Sequence, residues 1–275
     1  MEQTYDFRRY SGIPYLPLYK YYSNYSYAED VIKNHRIHLE SPSTYNDLYD
    51  SAYALTIDNL GRCVNTSHNV CLNMKNLLDS KYYDAIEACD NSVSSECFSI
   101  NEFVDFVCKY DNQIVREELI NECIYAITGG KLVQADNNKI SCFSERGDSL
   151  LLWAYYANNY KGVCLEFDIK SDTVLSKFCS KVNYTRAFCQ NANSFDNYYL
   201  KSDEWAHEQE WRIVCSTTNE YLPTTSLRAI ILGDRTPAIH RARFIKLGKA
   251  NGLKVYIVHP DTNEFKLKRF LVREF

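Results

Sequence analysis

Glu208, Glu210 and Arg212 stand at every second position and form the densest chemical pattern in the chain. Side chains two apart on a strand share a face. A strand from Glu208 to Cys215 would therefore project all three together, leaving Gln209, Trp211, Ile213 and Cys215 as its core face. Neighbouring carboxylates raise one another's pKa, and a guanidinium lowers it. Such a face can shelter positive charge developing on a sugar during glycosyl transfer, with Glu210 and Glu208 as the catalytic candidates. A planar leaving group would stack on Tyr156 or Trp153, and a pyrophosphate would be held by Lys20 or Arg212. The competing reading is structural: an ion-pair ladder on the strand, with Trp153, Trp205 and Trp211 as core anchors.

The elements that position these groups are legible from patterning. Cys142 to Asp168, CFSERGDSLLLWAYYANNYKGVCLEFD, reads as strand, turn, helix and strand. Ser144 closes the first strand, and Gly147 and Asp148 turn the chain. Asp148 or Ser149 caps a helix over Leu150–Tyr160, which Gly162 ends in a left-handed conformation. Val163, Leu165 and Phe167 alternate with polar positions as a strand with one buried face. Upstream, LYKYY at 18–22 is a strand with Tyr19 and Tyr21 on one face and Lys20 and Tyr22 on the other. Ser23 or Asn24 caps a helix across 27–34. The loop SPSTYNDLYD at 41–50 carries Asn46 and Asp47, which either satisfy their own loop or face a ligand. Residues 51–135 lose the strand alternation and read as a helical insertion. Residues 201–206 are helical or turned. The segment 228–275 reads as strand, helix, strand, strand, with Thr236 and Pro237 opening the helix.

Composition narrows the classes. The chain has 275 residues with 45% hydrophobic content, suited to one large domain with an insertion. It has 11 cysteines but no Cys-x-x-Cys pair, so no zinc-finger or redox spacing is present. His35 and His38 lack partners at metal-ligand spacing, so no metal ligands are assigned. The cysteines read as small core residues of a reducing, cytoplasmic compartment. No signal-peptide layout or apolar span argues for a membrane. The formal net charge is −4, yet residues 228–275 hold 11 Lys+Arg against 4 Asp+Glu, a net of +7. That segment either meets a nucleic acid or packs on the acidic remainder.

Four stretches in order carry a family resemblance. LYKYY with RIHLESPSTYNDLYD, the Cys142–Asp168 stretch, KSDEWAHEQEWRIV and RAIILG resemble the bacterial family known as domain of unknown function 2971, over about residues 18–260. Leu48 stands where that pattern has proline. Tyr155 stands where histidine is common, so no histidine role carries over there. The order of basic strand, Ser strand, aromatic helix and Glu-x-Glu strand is more distantly similar to the ADP-ribosyltransferase superfamily. That similarity implies an α+β fold with a mixed, split β-sheet around an NAD cleft and packed helices. It implies NAD as substrate, Glu210 and Glu208 as catalytic groups, and Lys20, Tyr21, Ser144 and Tyr156 around the dinucleotide. Asn46, Asp47, Trp153, Trp205 and Arg212 complete the expected binding set. A lysine at position 20 departs from the arginine or histidine usual there. A toxin or phage-defence effector is one expectation. A non-catalytic nucleotide or nucleic-acid binding module and a magnesium-dependent nuclease are the alternatives, with a nucleic acid or a protein as target.

Overall fold

A computed structural model describes residues 17–47, 49–53, 72–73, 97–98, 113, 133–134, 138–186, 188, 195–216 and 219–272. The chain divides into two compact units. One comprises Met1–Asn46, Asp136–Arg186 and Tyr199–Phe275, and the other Asp47–Ala135 and Ala187–Tyr198.

The first unit is α+β, built on an eight-stranded mixed sheet. Its strands and their neighbours, in chain order, are β1 (Leu18–Tyr22), β2 (Arg36–His38), β3 (Lys139–Ser144), β4 (Val163–Phe167), β5 (Cys179–Lys181), β6 (Asn183–Thr185), β7 (Leu200–Ser202), β8 (Glu210–Cys215), β9 (Tyr221–Pro223), β10 (Leu227–Leu232), β11 (Lys254–Pro260) and β12 (Leu267–Leu271). The large sheet runs in the order β12–β11–β10–β4–β1–β3–β8–β5. Only β10 and β11 are parallel within it, joined through the helix α3 (Ala238–Ala250). Such a parallel pair needs a crossover of this kind. Separately, β6 pairs with β7 in parallel, and β2 with β9 antiparallel. The expected split is reduced to a seam: β1 holds β4 through five register pairs but β3 through Tyr19–Ser144 alone.

Strand alternation sorts the side chains. One face carries Leu18, Tyr22, Phe143, Leu165, Phe167, Ile213 and Ile230. These pack on α1 (Tyr25–Asn34) through Ala28, Val31 and Ile32, and on α3 through Phe244. The other face carries Cys164, Ile231, Val258 and Leu267 under Trp153 and Ala157. Asn24 caps α1 as expected, its Oδ1 accepting from the Ser26 N–H at 2.9 Å.

The helix α2 spans only Leu150–Tyr155, capped by Ser149. It stops before Tyr160 because Asn158, Asn159 and Tyr160 all adopt positive φ (47°, 52° and 68°), a conformation that Asn tolerates better than most residues. Gly162 is not among the left-handed residues. It is glycine for lack of space, since a Cβ there would lie 2.2 Å from the Tyr22 carbonyl oxygen and 2.9 Å from the Ala157 Cα. Both neighbours are backbone and cannot yield cheaply. Gly162→Ala is therefore expected to cost about 1–3 kcal/mol, read as a lower urea midpoint with an unchanged slope.

In the second unit the described pieces include two short antiparallel pairs, Ala52–Tyr53 with Val133–Gln134 and Leu72–Asn73 with Cys97–Phe98. Both pairs lie inside residues 51–135, read from the sequence as a helical insertion, and are extended there. Gln113 is helical, as expected, and apart from it and Ser51 the remaining residues of the expected helical insertion lie outside the described ones.

Candidate functional site

The strand bearing the Glu-x-Glu pattern begins at Glu210, two residues later than its sequence spacing suggests. Asp203–Glu208 forms a 3-10 turn whose start is capped by the Ser202 hydroxyl, and Gln209 turns left-handed with φ 47°. Ser144 pins this turn: its hydroxyl donates to the Glu208 carbonyl at 2.5 Å and accepts from the Arg146 N–H at 2.9 Å. Glu208 and Glu210 thus meet through a turn rather than along one strand. Within β8 the expected alternation holds: Trp211, Ile213 and Cys215 pack in the main core and Glu210 and Arg212 share the other face, although all six residues are buried.

The two carboxylates converge on a third residue that sequence reasoning passed over. The Lys201 ammonium donates to Glu208 Oε2 at 2.6 Å and to Glu210 Oε2 at 3.1 Å. Arg212 grips Glu210 with two prongs, Nε to Oε1 at 2.7 Å and Nη2 to Oε2 at 3.0 Å. Tyr156 donates its hydroxyl to Glu208 Oε1 at 2.7 Å. The Trp205 ring centroid lies 5.1 Å from the Lys201 ammonium, within cation–π range. The Tyr184 hydroxyl accepts from the Glu210 N–H at 2.8 Å. Lys201 reaches the cluster from β7, which is fixed by its parallel pairing with β6. The only advance signal for it was a lysine inside the dense 201–215 stretch, beside Trp205. All four charged side chains are at most 7% exposed.

Burial by itself raises the pKa of the Glu210 carboxyl, but Arg212 and then Lys201 outweigh it and bring the value to about 2. Its ordinary value of 4.5 stands for the unfolded chain. Since the folded value is the lower one, the stabilisation is complete above the unfolded value and is lost as the pH falls through the folded one. Chemical-denaturation midpoints are expected to drop between about pH 4.5 and 2, with a flatter acid limb in a Glu210→Gln protein. Tyr156 is held well above its ordinary pKa by burial and then by the adjacent Glu208 charge, so its hydroxyl is a donor at neutral pH.

The other expected site residues divide between this cluster and the surrounding framework. Tyr19, Ser144 and Glu210 occupy one row across three strands and one face of the sheet. Lys20 lies on the opposite face, since alternation separates it from Tyr19. Its ammonium donates to the Cys142 carbonyl at 3.1 Å, in the seam where β1 and β3 lack ladder bonds. It therefore does not join a pyrophosphate site with Ser144 and Glu210. Tyr21 donates to the Arg146 carbonyl at 2.6 Å and packs edge-on against Trp153. Trp153 is fully buried, with its indole N–H on the Gly147 carbonyl at 3.0 Å, so it is a core anchor and not a stacking platform. Arg212 is likewise fully buried and committed to Glu210, so it is not a phosphate clamp. Asn46 is exposed at the end of the first unit. Asp47 belongs to the second unit, where its carboxylate accepts from the Tyr49 N–H at 3.0 Å, a loop-closing role.

Two further features lie on the Tyr19 face. Cys142, half-buried, accepts or donates a contact of 3.3 Å with the Tyr45 hydroxyl and hydrogen-bonds the Glu210 carboxylate. A cavity of about 210 Å³ is lined by Tyr19, Glu145, Gly147, Asp148, Ile231, Val258, Leu267 and Arg269. Part of the positive excess of 228–275 is matched by carboxylates elsewhere in the first unit, and Asp261 pairs within the segment. Arg228 pairs with Asp168, Arg243 with Glu29, Arg269 with Glu166, and Lys266 and Lys268 with Asp261. Among the described residues no helix is long and apolar enough to cross a membrane.

The model of a family described as "protein of unknown function (DUF2971)" matches residues 152–213. That stretch is narrower than the four-motif resemblance, but it holds Trp153, Tyr156, Lys201, Trp205, Glu208, Glu210 and Arg212, and so nearly the whole cluster. No curated protein and no solved structure matches the chain.

Proposed function

We propose that this chain acts at the N-glycosidic bond of a nucleotide such as NAD, as an ADP-ribosyltransferase-like enzyme or glycohydrolase. The observation that carries this reading is the convergence of Glu208, Glu210 and Trp205 on one positive charge, with Tyr156 holding the Glu208 carboxylate. A site that stabilises an ammonium between two carboxylates and an indole also suits an oxocarbenium-like sugar. In the reaction the leaving base departs with the glycosidic electron pair. The acceptor oxygen, from water or a target side chain, bonds to the anomeric carbon and loses its proton to Glu208. Glu210 faces the developing charge, and Arg212 keeps it ionised. Lys201 must withdraw for the sugar to enter. The cavity on the Tyr19 face starts at β1, about two strand spacings or ~10 Å from Glu210, and extends away from it toward β10, β11 and β12, where part of the nucleotide would lie.

A second reading, nucleotide binding without chemistry, is favoured by the saturation of the carboxylates: each of their four oxygens already has a donor. Incubating the protein with NAD and following free nicotinamide by chromatography separates the two. Nicotinamide release that persists in chelator supports the glycosidic reading. A melting-temperature shift with NAD and no release supports the binding module. Cleavage of a nucleic acid that stops in chelator supports the magnesium nuclease.

A further inference from the structure

The cavity of about 210 Å³ has an apolar floor and a charged rim. Ile231, Val258 and Leu267 supply the floor from three neighbouring strands. Tyr19 closes one side, its ring packed so tightly on the turn between β3 and α2 that a Cβ on Gly147 would stand 2.6 Å from it. The rim carries two carboxylates that the protein satisfies on one oxygen only. Glu145 takes both of its internal donors on Oε1, the Lys181 ammonium at 2.7 Å and the Trp211 indole N–H at 2.8 Å. Asp148 takes Arg146 Nε on Oδ1 at 2.7 Å. Among the described residues nothing donates to Glu145 Oε2 or to Asp148 Oδ2. Burial raises the pKa of Glu145, but Lys181 and Trp211 outweigh it and keep the carboxyl ionised. Arg269 commits one nitrogen to Glu166 and lies over the Tyr256 ring at 4.4 Å, and its other N–H groups have no acceptor among the described residues. Unlike the saturated carboxylates of the Glu208 cluster, this rim has open acceptors facing an empty volume.

Size and charge narrow what fits. The volume is below the ~300–1,000 Å³ of pockets that enclose drug-sized ligands, so it suits a single ring system and not a whole nucleotide. Two carboxylates on the rim repel a phosphate. They accept from an amino group, while the floor packs on a flat ring. A dinucleotide whose reacting sugar lies at Glu210 would lay its pyrophosphate across the ~10 Å between Glu210 and Tyr19 and carry its second nucleoside beyond. We propose that the cavity is a pocket for a purine base bearing an exocyclic amino group, adenine in the case of NAD. The amino group donates to the open oxygens of Glu145 and Asp148, and the ring lies on Ile231, Val258 and Leu267. The inference rests on the glycosidic reading for its choice of a nucleotide, and it names the base that reading requires.

The test uses the full chain and two nucleotides that differ at that amino group, adenosine and inosine monophosphate, with titration calorimetry as the readout. The inosine base has a carbonyl oxygen there, which meets the carboxylates as a second acceptor. The wild type is expected to bind adenosine monophosphate at least about tenfold more tightly, the effect of one hydrogen bond to a charged group. Asp148→Ala removes an exposed pair with Arg146, so it should melt near the wild type while the preference narrows. Glu145→Gln keeps an acceptor for Lys181 and Trp211 but offers an amide N–H to the base, so the preference should narrow or reverse. A purely structural role for these carboxylates would move melting temperatures and leave the ratio between the two nucleotides untouched. Equal binding of both nucleotides, no binding of adenosine monophosphate by the folded wild type, or an unchanged ratio in the folded variants would overturn the pocket. The wild-type ratio decides the matter even where a variant does not fold. Neither nucleotide contains the nicotinamide bond, so the two readings fail separately. An adenine preference in a protein that leaves NAD intact removes the glycosidic reading alone, and NAD turnover with both nucleotides bound alike removes the base pocket alone.

Discussion

An Arg212→Met protein is expected to be less stable than the wild type by about 3–5 kcal/mol. The Arg212 side chain is fully buried and supplies both of the near-parallel hydrogen bonds to Glu210. Removing it leaves a carboxylate that is 5% exposed with the shared Lys201 ammonium as its remaining close cation. Breaking one side of a buried pair costs more than the pair contributes, because the partner's desolvation is no longer compensated. The double variant Glu210→Gln/Arg212→Met removes the stranded charge and should recover more than half of the loss. Urea unfolding at pH 7 measures both. A single-variant loss below about 1 kcal/mol would resemble a surface pair instead, and would contradict the burial on which the site rests.

Glu210→Gln carries the largest expected functional effect. Glutamine keeps the volume and one acceptor for Arg212, but the fully buried guanidinium loses its counter-charge, so the variant should also be less stable and its rate is read where it is folded. The negative charge facing the reaction centre is lost. If the chain releases nicotinamide from NAD, the rate is expected to fall about 10²–10³-fold, the usual cost of removing one preorganised electrostatic group. Substrate affinity should change far less, because the charge matters most at the transition state. An unchanged rate in a folded Glu210→Gln protein would rule out the glycosidic mechanism as drawn. Both variants break one side of the same buried pair, so both should lose stability, and Glu210→Gln is set apart by its loss of rate in the folded protein.

Local rules made much of the framework legible in the amino-acid sequence. Period-two alternation identified β1 and β4, and it correctly separated Tyr19 and Tyr21 from Lys20 and Tyr22. Asn24 and Ser149 were readable as helix caps because a capping side chain serves its own next few residues. The strand, helix and two strands of the C-terminal segment followed from the same local signals, as did the buried role of Trp153 in one of its two readings.

Tertiary structure decided the site. The left-handed turn at Gln209 breaks the apparent strand, so Glu208 meets Glu210 around a corner that spacing alone does not reveal. Lys201 enters through the parallel pairing of β6 and β7, a non-local contact with no periodic trace. The sheet face excludes Lys20 from the cluster although it is adjacent in sequence to Tyr19. Alternation reports which neighbours share a side, but not which side a distant strand will present to them. Charge pairing across such distances depends on register and burial, and both are set only when the sheet closes.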